Sequence, residues 1–98
     1  MELLKEILGF GNRPKFEPGT FVVRVTDGQQ LYYKIINVED GNYIASIPQI
    51  INGTFSGWSP PRSIPLKFID RNCELVSPDL ANRFDKARKG QSAKLIFQ

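Results

Sequence analysis

The chain has 98 residues, 41% of them apolar, and a formal net charge of +3, which suits one small folded domain and excludes a disordered chain. It has no histidine and one cysteine, Cys73, so the usual general base and the commonest metal ligand are missing and no intramolecular disulfide can form. All the excess positive charge falls in residues 71–98, where six cations meet three anions.

Residues 2–8 place Leu3, Leu4, Ile7 and Leu8 on one side at the helical period, and Gly9 is a natural stop. Three charges interrupt this apolar stretch, so it is not expected to act as a signal peptide. A helix this short does not hold alone in water and must dock on the rest of the chain or on another molecule. Gly9, Gly11, Asn12 and Pro14 form a loop or hinge, giving a first unit at 1–14.

Three apolar runs follow Pro18-Gly19: Thr20–Val25, Leu31–Val38 and Asn42–Ile47. Thr26-Asp-Gly-Gln-Gln30 and Glu39-Asp-Gly41 separate them. Asp-Gly between β-branched and aromatic runs signals tight hairpins, so residues 16–47 read as an antiparallel meander. Alternation predicts Phe21, Val23 and Val25 on the inward face of the first run, and Tyr43, Ala45 and Ile47 on that of the third. In the second run Leu31, Tyr33 and Ile35 alternate and then Ile36 and Val38 take over. A one-residue bulge at Ile35-Ile36 would place both sets inside and bend the strand.

Residues 48–61 mix apolar residues with two glycines and three prolines and read as a long apolar loop, a type of segment that is usually functional. Ile64, Leu66 and Phe68 alternate again. Pro65 cannot donate to a ladder, so this strand is expected at an edge or with its proline pointing away. Asp70-Arg-Asn72 turns the chain into a fifth strand, Cys73–Val76. Ser77-Pro-Asp opens a helix as cap, first-turn proline and dipole partner. Leu80, Phe84 and Ala87 form its apolar stripe, and Gly90 stops it. The tail ends on Leu95, Ile96 and Phe97.

Lys15-Phe-Glu-Pro-Gly-Thr-Phe-Val22 resembles the opening strand of small SH3-like barrels. Gly41-Asn-Tyr-Ile44 is similar to the start of their third strand, and Ile69-Asp70 before Glu74-Leu-Val76 to the tight helical turn into their last. The resemblance covers residues 15–76 and implies a mainly β, five-stranded antiparallel SH3-like barrel. A short N-terminal helix would precede it, and a basic C-terminal helix with an apolar tail would follow at 77–98. Such barrels bind proteins, RNA, DNA or ribosomes, so the resemblance implies a binding module. Small phage and mobile-element proteins are often similar in build.

No residue pattern points to catalysis. Cys73 alternates with Leu75 as a small buried residue and has no histidine to hold it as thiolate. Asp27, Glu39 and Asp40 sit in turns, where carboxylates bond to local backbone. No metal-ligand spacing, phosphate loop or cofactor motif occurs. Pro60-Pro61-Arg62 lacks a PxxP pair and reads as a stiff turn.

Aromatic residues are more informative. Tyr32 is expected to point away from Tyr33, outward beside Lys34. Trp58 either anchors an interface with Arg62 or folds back to cap the barrel. The expected activity is non-enzymatic protein binding, as adaptor, inhibitor or small subunit of an assembly. Tyr32, Phe55, Trp58, Arg62, Leu95, Ile96 and Phe97 are its candidate contacts. A nucleic-acid reading would stack Tyr32 and Trp58 on bases and use Arg83, Lys86, Arg88 and Lys89 for phosphates. No cofactor, small-molecule substrate or membrane is expected, and the lack of disulfides suits the cytoplasm or an assembly formed in it.

Overall fold

The computed structural model describes residues 13–97. The expected helix at 2–8 and hinge residues 9–12 lie outside the described residues. The strands are β1 (Phe21–Thr26), β2 (Gln29–Glu39), β3 (Asn42–Ser46), β4 (Pro48–Ile51), β5 (Thr54–Trp58), β6 (Arg62–Pro65) and β7 (Cys73–Leu75). The helices are α1 (Leu66–Asn72), α2 (Pro78–Lys86) and α3 (Ala93–Phe97).

Three two-residue turns build the hairpins. Asp27-Gly28, Asp40-Gly41 and Asn52-Gly53 each have positive φ at both residues, the backbone of type I′ turns, which match strand twist and favour Asx-Gly. The first two join β1, β2 and β3 as expected. The third folds residues 48–58 into a second hairpin, β4–β5, so the segment expected to be a loop is mostly ordered sheet.

Five strands form one antiparallel sheet in the order β6-β3-β2-β1-β7. β6 and β7 are its two edges and do not pair with each other, so the sheet is open. Pro65 sits in edge strand β6, where its missing donor does no harm. The bulge in β2 lies between Ile35 and Asn37. Its extra residue, Ile36, points to solvent instead of joining the interior, while Val38 packs inward. Residues 66–68 turn out helical, not a continuation of the strand. Leu66 and Ile69, three apart, bury one face of α1, and the Asn72 amide donates to the Phe68 carbonyl at 2.7 Å.

Both faces of this sheet are covered. On one lies a core of Phe16, Val22, Tyr33, Ile35, Tyr43, Ala45, Leu66, Ile69 and Cys73. On the other, Phe21, Tyr32, Phe55, Val76, Phe84 and Ile96 form a second core. This corrects the inward face expected of β1. Val22, cross-strand from Tyr33, enters the first core, while Phe21 and Val23 pack in the second and Val25 is 64% exposed. Apolar residues stand on both sides of β1 because both sides have something to bury against.

Candidate interaction surface

The second core is an aromatic cluster built from distant parts of the chain. Phe84 of α2 is its centre. Its ring lies 5.4 Å from Phe21, 5.1 Å from Tyr32, 5.7 Å from Trp58 and 5.3 Å from Phe97, within the range of favourable ring contacts. Phe55 meets Trp58 edge-on at 6.0 Å. The tail reaches this cluster by pairing along β5. Gly90 N–H donates to the Phe55 carbonyl, Phe55 N–H to Gln91, and Ala93 N–H to Gly53 at the hairpin turn, each at 2.8 Å. α3 then lays Ile96, fully buried, and Phe97 against the sheet.

This arrangement changes the standing of several candidate residues. Tyr32 does point opposite to Tyr33, but it is 8% exposed, because the C-terminal helices cover that face. Burial raises its phenol pKa, and its hydroxyl donates to Gln30 Oε1 at 2.8 Å. Phe55 is buried too. Trp58 is half-buried against Phe21, Phe55 and Phe84, with Lys34 Nζ 5.8 Å from its ring. Of the three tail residues Ile96 is fully buried, Phe97 is half-buried and Leu95 is 62% exposed. Arg62 is exposed on β6, cross-strand from Ala45, outside the cluster.

The basic residues are spread out. Helix α2 ends at Lys86, because Ala87 adopts extended backbone (ψ 142°), so Arg88 and Lys89 stand in the following turn and not on a helix. Arg83 pairs with Asp79 one turn earlier at 3.1 Å. Lys89 lies along Gly57, whose φ of +119° and lack of a side chain leave it room.

Beside the cluster lies an open groove of about 350 Å³ lined by Gln30, Leu31, Tyr32, Ile47, Pro48, Ile50 and Phe97. It runs between β2 and β4 and ends at α3, and no charged residue lines it. Beside it the β4–β5 hairpin presents Ile50 and Ile51, exposed by 39% and 60%. The sequence reading marked the 48–61 segment as a whole but missed these two residues. The signal that could have found them is Asn52-Gly53 directly after Gln-Ile-Ile, which reads as an apolar strand entering a tight turn.

The structure offers no activated nucleophile at Cys73. The thiol is buried, and burial, partly opposed by Arg24, pushes its pKa up to about 11, far from a thiolate at neutral pH. Among the described residues no group of three acidic, Cys or His side chains is placed to hold a metal ion, and no helix is long and apolar enough to cross a membrane. Comparison with family models, with curated proteins and with solved structures finds no match to this chain.

Proposed function

We propose that this chain is a non-enzymatic protein-binding module, a small adaptor, inhibitor or structural subunit of a larger assembly, built on an SH3-like barrel. The barrel reading is supported by the meander β1–β3, the bulge that bends β2, and the short helix α1 leading into a last strand that returns to β1. The single observation that carries the binding reading is the uncharged groove, lined by exposed Ile50 and by Phe97, with Ile51 next to Ile50 on the hairpin and Leu95 on α3 also exposed. Apolar side chains gathered around a concavity are a signature of protein interfaces. The nucleic-acid alternative has less support: the ring of Tyr32 is spent inside the protein, and Lys34 stands over Trp58.

The test is affinity capture of the full chain with and without nuclease, alongside an Ile51→Asp/Leu95→Asp double variant. Both positions are exposed, so the fold should survive. A nuclease-resistant partner lost in the double variant is the expected result. A partner set that vanishes on nuclease treatment, or that the double variant retains, would sink the proposal.

A further inference from the structure

The strand edges of the molecule differ in how they are protected. β6 carries Pro65 and follows Pro60-Pro61, and proline guards an edge. β7 has three residues between two helices, too short to offer much. The outer edge of β5 is already paired with residues 90–93. Among the described residues, β4 alone combines an uncharged sequence whose proline stands only at its first position, Pro48-Gln-Ile-Ile51, with exposed side chains and a side that no described strand pairs with.

The direction of its backbone groups follows from the hairpin register. In a two-residue hairpin the residues flanking the turn, Ile51 and Thr54, exchange hydrogen bonds. Bonding direction then alternates along an antiparallel strand. Phe55 obeys this: its N–H and carbonyl turn away from β4 and bond to Gln91 and Gly90. Its cross-strand neighbour Ile50 must therefore direct its own N–H and carbonyl away from β5, to the open side. No described residue outside the hairpin makes a backbone bond to Ile50.

We infer that the β4 edge pairs with the β4 edge of a second copy of this chain, antiparallel, about a two-fold axis at Ile50. This rests on the protein-binding reading above and names the partner at that surface. One residue with both a donor and an acceptor facing out is self-complementary under a two-fold, since the two Ile50 residues exchange both bonds. The same axis sets Gln49 opposite Ile51 of the other copy. No charges meet, and exposed isoleucines on both hairpins leave water. Few residues pair, so the dimer is weak.

The experiment is light scattering or sedimentation of the full chain over a concentration series, with hydrogen exchange of the Ile50 amide. The expected mass rises from one copy at about 1 μM toward two at about 1 mM, as for an interface below standard size. Ile50 N–H protection should rise with it, and Ile50→Lys should hold the protein at one copy. If the variant fails to fold, the wild-type exchange data still decide. A constant one-copy mass, growth beyond two copies, or dimers without Ile50 protection would overturn the pairing. A monomer that still captures a foreign protein overturns this inference alone, whereas a monomer that captures nothing removes the binding reading too.

Discussion

Tyr43 has its ring in the first core and its hydroxyl in a short relay. Phe16 N–H donates to the Tyr43 oxygen at 2.9 Å, and the hydroxyl donates to Asp70 Oδ1 at 2.5 Å. The relay ties the chain entering the sheet to α1. Burial first, then the bond to Asp70, push the Tyr43 phenol up from 10.0 to about 12. Burial raises the Cys73 thiol from 9.0 to about 11. Below pH 9 both groups hold their protons folded or unfolded and add no pH dependence. Between about pH 9 and 11 for the thiol, and about pH 10 and 12 for the phenol, the unfolded chain loses the proton while the folded chain keeps it, so stability falls with rising pH. Urea midpoints should therefore drop across this window. The drop should shrink in Cys73→Ala at its lower end and in Tyr43→Phe at its upper end. Midpoints flat from pH 9 to 12 would contradict this account. Tyr43→Phe should also cost about 1–3 kcal/mol at neutral pH, because the buried Phe16 N–H loses its acceptor.

Elements were legible where a local rule decides them. Ser77 was expected to cap a helix, and its Oγ accepts from Leu80 N–H at 3.3 Å, with Pro78 and Asp79 in the first turn. Ser77→Ala should lower stability by about 1 kcal/mol, measured by urea denaturation; an unchanged midpoint would mean the cap is replaced by water. The far end of that helix was less legible. Gly90 marks a stop, yet α2 ends at Lys86, because the chain must turn early for residues 90–93 to reach β5. The Gln91 side chain closes that turn by accepting from Arg88 N–H at 3.0 Å. Nothing near Lys86 in the sequence encodes a partner more than thirty positions away. For the same reason the tail residues read as candidate partner contacts, although Ile96 and Phe97 pack within the chain. The β4–β5 hairpin is a different case: Asn52-Gly53 is as clear a turn signal as Asp27-Gly28 and Asp40-Gly41.

Two cores share one sheet, and this sets how the whole molecule should unfold. Neighbouring residues of the same strands serve opposite cores: Phe21 and Val22 on β1, Tyr32 and Tyr33 on β2. Losing strand order for one core therefore strips the other. A barrel at 15–76 that folds without residues 77–97 is not what this packing implies, since Phe21, Tyr32 and Val76 would lose the cover of Phe84 and Ile96. The expected behaviour is one cooperative transition, as in most domains of this size. Trp58 reports on the second core by fluorescence, and far-ultraviolet circular dichroism reports on the sheet. Ile69→Ala, in the first core, should cost about 2–5 kcal/mol, and Phe84→Ala, in the second, about 3–5 kcal/mol. Each should move the Trp58 signal and the dichroism to the same new midpoint. If Ile69→Ala shifted the dichroism and left the Trp58 transition in place, the cores would be separate units. The sheet would then be a platform for two structures and not the element that couples them.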